Sequence, residues 1–192
     1  MVTLNKIYTR AGDKGMTRLS TGEKVRKDSL RVEAYGAVDE TNSCVGLVRL
    51  HTAGEPLLDA MLGRIQNELF DLGADLATPD RGKDLGWEPL RIITDQVTRL
   101  EGEIDQLNAE LSPLSSFVLP AGSPASTYLH LARTVCRRAE RVAVTLAATK
   151  GETVSEPALK YLNRLSDFLF VAARWANGKG ADEVLWAPGA TR

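Results

Sequence analysis

The sequence predicts an all-α fold, a five-helix antiparallel bundle. Three observations predict it. Five segments of roughly 20 to 28 residues repeat apolar residues at steps of three and four, the period of one helix face. No segment alternates apolar and polar residues over a useful length, so no sheet is expected to hold the core. The connections are mostly short and hold Pro, Gly and small polar residues, which suits antiparallel neighbours.

Helix one is expected over residues 30–51, with Asp28 or Ser29 able to cap it by accepting a free backbone N–H. Helix two follows over 56–77, where Leu58, Leu62, Ile65, Leu69, Leu72 and Leu76 line one face. Residues 78–84 form a polar breaker. Helix three is expected over 90–111, with the stripe Val97, Leu100, Ile104, Leu107 and Leu111. The connection 112–122 holds Pro113, Pro120 and Gly122 and an apolar segment, Phe117-Val118-Leu119. Helix four starts with Ser123 as N-cap and Pro124 at the first helical position, and runs to about Lys150. Gly151 can end it in a left-handed conformation. Helix five starts near Ser155, with Pro157 in its first turn, and ends near Gly178 or Gly180. Gly36, Gly46, Gly63 and Gly73 lie inside helices, each at a cost of about 1 kcal/mol relative to Ala, so close backbone approach is expected there.

The first 27 residues are different. They carry glycines, hydroxyls and the cations Arg10, Lys14, Arg18, Lys24 and Lys27, without helical periodicity. They read as an irregular loop with short extended pieces. The chain is therefore expected to be one domain over 1–192: a loop (1–27), a helical bundle (28–180) and a tail (181–192).

Composition removes several function classes. The 192 residues carry 24 Lys+Arg against 25 Asp+Glu, a formal net charge of −1. Such a chain has no global attraction to nucleic acid or anionic lipid, so anion binding must come from a local cluster. No apolar run approaches a membrane span and no secretory leader is legible. Cys44 and Cys136 stand in apolar helical surroundings and read as small buried hydrophobes in a reducing, cytoplasmic compartment. Two isolated cysteines and two isolated histidines, His51 and His130, argue against a zinc site. Neither histidine has a Glu three residues before it, which argues against a dimetal carboxylate bundle.

Four constellations remain. Arg133, Arg137 and Arg141 recur at i, i+4 and i+8 on helix four, with Arg138 and Glu140 between them. One side of this helix (Tyr128, Leu131, Val135, Val142, Leu146) is expected to be core. A third side (Ala132, Cys136, Ala139, Ala143) is also small and apolar, so the helix is expected to be covered twice and the arginines partly buried. Buried cations need anionic partners, and phosphate matches guanidinium bidentately. The plain structural reading is a solvated basic face with Glu140 as partner. The N-terminal loop is the second constellation, with the composition of a polyphosphate cradle but neither the Walker A nor the Rossmann pattern; a basic terminus without structure is the alternative. The third is Asn163, Asp167, Phe170 and Arg174 on helix five, a polar stripe or a helix–helix seam. The fourth is Asp39, Glu40 and Asn42 on helix one, where Asp39 can pair with an arginine of helix four, within the chain or across a subunit boundary.

Five motifs occur in order: Ile7-Tyr8-Thr9-Arg10-Ala11-Gly12-Asp13-Lys14-Gly15, Tyr35-Gly36-Ala37-Val38-Asp39-Glu40-Thr41-Asn42-Ser43, Phe117-Val118-Leu119-Pro120-Ala121-Gly122, Cys136-Arg137-Arg138-Ala139-Glu140-Arg141 and Tyr161-Leu162-Asn163-Arg164-Leu165-Ser166-Asp167. Together, over about residues 6–177, they resemble the PduO-type ATP:cob(I)alamin (corrinoid) adenosyltransferases. The resemblance implies a five-helix bundle of the ferritin-like or cobalamin adenosyltransferase-like kind, a homotrimer with active sites between subunits. It implies transfer of the 5′-deoxyadenosyl group of ATP to the cobalt of cob(I)alamin, giving adenosylcobalamin and triphosphate. Mg²⁺ is implied on the phosphates, with no metal ligand assigned to a protein side chain. A cob(II)alamin reductase and an adenosylcobalamin-dependent enzyme are the implied partners.

By the same resemblance, Thr9, Arg10, Ala11, Gly12, Thr17, Arg18 and Lys27 cradle ATP, with Arg137, Arg138, Ala139, Glu140, Arg141 and Asn163 contributing from the helices. Arg137, Arg141 and Asn163 are the residues implied in catalysis. Phe117 matches an aromatic residue inserted beneath the corrin ring, in place of the axial ligand; its plain structural reading is a core plug at the bundle end. Asp39 and Arg133 match an intersubunit salt bridge. Ala11 stands where many members carry Thr or Asn, and residues 18–22 hold less glycine than the family pattern. A nucleotide-gated carrier of adenosylcobalamin and a purely structural bundle are the competing readings.

Overall fold

The computed structural model describes residues 7–192. Five helices carry the chain: α1 (Leu30–Arg49), α2 (Pro56–Leu76), α3 (Thr94–Asn108), α4 (Pro124–Ala147) and α5 (Glu156–Trp175). Two three-residue strands, β1 (Met16–Arg18) and β2 (Lys24–Arg26), pair antiparallel in the N-terminal segment, with Thr17 opposite Val25. These are the short extended pieces expected in the loop. A 3-10 turn (Gly178–Gly180) follows α5. Among the described residues no helix is long and apolar enough to cross a membrane.

Side-chain pairings fix the helix directions. Arg49 meets Asp59 and Asn42 meets Gln66, so α1 and α2 are antiparallel. Arg64 meets Glu103 and Glu68 meets Arg99, so α2 and α3 are antiparallel. Ser123 meets Ala176 and Cys136 meets Leu162, so α4 and α5 are antiparallel. The helices α1, α3 and α5 start at one end, called the lower end below. Around the bundle the order is α1, α2, α3, α5, α4, and α3 beside α5 is the one parallel pair.

The apolar stripes form the core as their spacing requires. All six leucine and isoleucine positions of the α2 stripe are buried, as are Val97, Leu100 and Leu107 of α3, with Ile104 and Leu111 packed against them. Tyr161 and Phe168 are the bulkiest fully buried side chains. The Tyr161 hydroxyl donates to Glu68 Oε2 at 2.8 Å, which satisfies the phenol inside the core. The Ser123 cap holds as expected: its hydroxyl accepts the Ser126 N–H at 3.1 Å and donates to the Ala176 carbonyl at 2.9 Å. Gly122 before it has φ +112, and a Cβ there would collide with the Asn177 amide that accepts the Ser123 N–H. Ser155 caps α5, and Gly151 is left-handed at φ +84.

Several expectations are corrected. Helix three starts at Thr94, not at 90, because the buried Asp75 carboxylate holds the preceding chain extended. It accepts the Ile92 N–H at 2.9 Å and the Arg91 guanidinium at 2.7 Å. Ser29 is the N-cap of α1 but its hydroxyl accepts no N–H, and Asp28 binds Arg26 instead. The interior glycines do not share one cause. Gly46 faces Gln66 and Gly63 faces Arg49, both against side chains, whereas Gly36 and Gly73 have open space around the missing Cβ.

Asp59 is a testable joint of the α1–α2 hairpin. Hydrogen bonds from Arg49, first, and from Thr52 pull its carboxyl down to about 2 from the usual value near 3.8. The carboxylate form is thus the stabilising one. The contribution is complete above the usual value and is lost as pH falls towards about 2. Because the side chain is about one-third exposed, the Asp59→Asn substitution is expected to cost about 1 kcal/mol, a Tm loss of about 2–4 °C at pH 7. Thermal scans should show the gap between variant and parent closing below pH 3.

Candidate active site

The arginine stripe is present as its spacing demands. One α4 surface carries Arg133, Arg137 and Arg141. The helix is covered twice, by α1 and by α5. The stripe itself is less enclosed than expected: Arg137, Arg138 and Arg141 are exposed, and only Arg133 is half-buried. Leu131, expected in the core, is exposed as well.

Charge bookkeeping singles out these residues. Arg26, Arg31, Arg49, Arg64, Arg81, Arg91, Arg99, Arg138, Arg164 and Arg174 each have a carboxylate within ion-pair distance. Among the described residues none lies within that distance of Arg10, Arg18, Arg133, Arg137, Arg141 or the terminal Arg192. Arg133 Nε is buried without a hydrogen-bond partner. Burial, and then the like charge of Arg137, push the Arg133 guanidinium pKa down. Among the described residues Arg141 donates only to the Arg137 carbonyl, at 3.1 Å.

The neighbouring polar groups are ordered around the stripe. Asn163 Nδ2 donates to Glu140 Oε1 at 3.0 Å, and its Oδ1 accepts from Arg164 at 3.0 Å. One Asn163 N–H is left for a ligand. Asp167 is exposed and 3.6 Å from Arg164. Arg174, by contrast, is buried against Glu183 and the Ser112 carbonyl, a structural seam. Ala139 is buried in the core, away from the surface that bears Arg138 and Arg141.

The leader approaches α4 through Arg138. A cleft of about 460 Å³ lies on α1 and is lined by Lys27, Glu33, Gly36, Glu40 and Arg138, among others. The empty space at Gly36 is this cleft. Arg138 is ion-paired with Glu40 across it. Upstream, Thr9, Arg10, Ala11 and Gly12 form tight turns: the Ala11 N–H points at Thr9 Oγ1 at 3.4 Å, and Arg10 takes φ +61 with its guanidinium over the Tyr8 ring. Gly12 lies beneath the Lys27 ammonium, with 2.9 Å left for a Cβ. Thr17 is half-buried on β1, and Arg18 donates to the Gly22 carbonyl of its own hairpin.

At the upper end Phe117 is 75% exposed, so it is not a core plug. It is held by the tail: the Trp186 N–H donates to the Phe117 carbonyl, the Leu119 N–H to Val184, and Val118 bridges Leu185. The Phe117 and Trp186 rings are 6.0 Å apart. Sequence reasoning missed Trp186, since a lone aromatic in a tail has no periodicity to mark it. It also left His130 unassigned. His130 is 2% exposed, packs edge-on to Phe170, and has no partner on either ring nitrogen. Burial, and then the charge of Arg133, push the His130 pKa down. Asp39, on the exposed face of α1, makes no ion pair among the described residues. Cys44 and Cys136 are free and buried, and burial raises both thiol pKa values.

The cobalamin adenosyltransferase family model matches residues 7–176. The chain belongs to this family. A corrinoid adenosyltransferase of Mycobacterium tuberculosis is 48% identical over 193 aligned residues, covering 100% of this chain and 97% of the relative. One of Bacillus subtilis is 47% identical, covering 91% of this chain and 88% of its own length. Among solved structures, a variant PduO-type ATP:corrinoid adenosyltransferase from Lactobacillus reuteri complexed with cobalamin and ATP superposes with TM-score 0.87. It is 38% identical, covering 95% of this chain and 97% of that one. The chain that carries the guanidinium stripe and the exposed Phe117 is thus similar to a protein solved with ATP and cobalamin bound.

Exposure separates Phe117 from a packing residue. Phe117→Ala should change stability by no more than about 0.5 kcal/mol, the usual range for a surface site. The buried Leu165, cut to Ala, should cost about 2–5 kcal/mol. Denaturant melts of the two variants check the contrast.

Proposed function

We propose that this chain transfers the 5′-deoxyadenosyl group of ATP to the cobalt of a reduced corrinoid and releases triphosphate. The Co(I) electron pair forms the Co–C bond to the 5′ carbon, the C–O bond breaks, and its electron pair leaves on triphosphate. No side chain has to act as nucleophile or base. The protein must instead align the two substrates and neutralise the leaving charge.

The observation that carries the reading is the set of guanidinium groups without carboxylate partners on α4 and in the leader. Arg137 and Arg141 would take the triphosphate tail. Thr9, Arg10, Ala11, Gly12, Thr17, Arg18 and Lys27 would cradle it through hydroxyls, cations and backbone N–H groups. Arg138 and Glu140, both paired to neighbours, would shape the pocket wall, with Ala139 packing beneath them. Asn163, fixed by Glu140 and Arg164, would orient the nucleotide with its remaining N–H. Mg²⁺ bound with the nucleotide would offset part of the tail's charge, and no side chain of this protein is assigned to hold it. Phe117, with Trp186, offers an apolar surface suited to the face of a corrin ring, with Phe117 taking the place of the axial ligand.

Among the described residues, neither Asp39 nor Arg133 has an ion-pair partner in its own chain. Both are satisfied if two copies meet in a homotrimer with sites at the boundaries. A reductase must supply the electron that makes Co(I), and an adenosylcobalamin-dependent enzyme must take the product. Two buried free thiols suit the cytoplasm.

Purified protein given ATP, Mg²⁺ and chemically reduced cobalamin without oxygen should form a light-sensitive adenosylcobalamin spectrum. No product under these conditions rejects the reading. Arg137→Ala should lower kcat/KM by about 100-fold or more, in the range for removing one charge-stabilising donor. Its Tm should stay within about 2 °C of the parent, as befits an exposed side chain. ATP at 100 times its Kd should stabilise the parent protein by about 2.7 kcal/mol.

A further inference from the structure

The leader hairpin is tied to the lower end of the bundle by a ladder of charges that no part of the reaction requires. Arg81, in the α2–α3 connection, reaches in two directions. Its Nε lies 3.3 Å from Glu23 Oε2 at the hairpin turn. Its Nη2 lies 3.3 Å from Glu152 Oε1 in the α4–α5 connection, and its Nη1 donates to the Gly151 carbonyl. Glu152 is gripped from the other side by Arg31, which is 3% exposed. The Arg31–Glu152 contact is 2.5 Å, and Arg31 also donates to the Leu76 and Thr153 carbonyls at 2.6 Å and 2.9 Å. Burial opposes the charge on Glu152, yet the Arg31 and Arg81 guanidinium groups hold its carboxyl below the usual range.

The ladder Arg31–Glu152–Arg81–Glu23 thus runs from a buried anchor to an exposed hairpin. One backbone bond supplements it, from the Ser20 N–H to the Ala77 carbonyl at 3.1 Å. From the hairpin the constraint passes to the turns that carry Thr9 to Gly12. The Lys27 N–H donates to the Gly15 carbonyl at 2.8 Å, and the Lys27 side chain covers Gly12. Neither Arg81 nor Glu23 lines the cleft shared by Lys27 and Arg138; both line a separate one of about 960 Å³ at the lower end.

We propose that Arg81 is a positioning residue for nucleotide binding: it pins the hairpin turn through Glu23 and so holds the leader in its ATP-binding arrangement. The proposal rests on the reading of the leader as an ATP cradle. Arg81 touches no substrate. Its loss should therefore weaken ATP binding, because the leader then loses freedom only when ATP arrives, and should leave the chemical step alone.

The test is steady-state adenosylation by the full chain, with ATP varied at saturating reduced cobalamin, for Arg81→Gln, Glu23→Gln, the double variant and Lys27→Ala. Arg81→Gln and Glu23→Gln should each raise KM for ATP about threefold to fivefold, the yield of partly exposed ion pairs. The kcat should stay within about twofold and KM for the corrinoid should not move. The double variant should be no worse than the worse single, since both cut one link. Normal ATP KM in both single variants while Lys27→Ala raises it overturns the tether and leaves the cradle standing. Normal KM in all of them, Lys27→Ala included, overturns the cradle and the tether with it. Additive losses, or a fall in kcat together with Tm, also overturn the proposal, because they mark general destabilisation. If Arg81→Gln does not fold, Glu23→Gln on the exposed turn decides alone.

Discussion

Positive charge that the chain does not neutralise is the constraint on which the site depends. Three guanidinium groups one helical turn apart repel one another, and the fold supplies carboxylates to nearly every other arginine. Among the described residues it leaves Arg133, Arg137 and Arg141 without one, as it does Arg10 and Arg18 in the leader and the terminal Arg192. Such a distribution is costly for a structural surface and useful for one that receives a polyanion. The neighbouring Arg138 makes the contrast plain: one position from Arg137, it is paired with Glu40.

The rest of the molecule holds that charge in place. At the lower end, Arg31 and Asp75 join the starts of α1, α3 and α5 to the end of α2 and to the α4–α5 connection. Both are buried and make several hydrogen bonds each, so each is costly to truncate. Around the middle, Glu68 binds Tyr161 and Arg99, which fixes the register of α2, α3 and α5. At the upper end the tail pairs with residues 117–119 and turns Phe117 outwards. Exposed groups thus differ between the upper end, where Phe117 and Trp186 are aromatic, and the α4 surface, where Arg137 and Arg141 are cationic.

Much of this was legible in the amino-acid sequence, and physics explains which parts. The α2 stripe was legible because leucine burial on one face is a periodic signal. The Ser123–Pro124 and Ser155–Pro157 starts were legible because capping is local. The start of α3 was not, because Asp75 sets it from 17 residues away. Ser29 misled for a related reason: its hydroxyl is buried where no N–H reaches it. The arginine stripe could be read from spacing, but its exposure could not, since that depends on how far α1 and α5 wrap α4. Trp186 and the Arg81–Glu23 tether were illegible because each joins segments far apart in the chain.

The most direct test of the central claim is diffraction from crystals of the protein grown with ATP and Mg²⁺. The account predicts triphosphate oxygens within about 3 Å of the Arg137 and Arg141 guanidinium groups. The same tail should meet backbone N–H groups of residues 10–12, from that copy or its neighbour. A triphosphate lodged in the lower-end cleft beside Arg81, with the stripe facing only carboxylates of an adjoining copy, would contradict it.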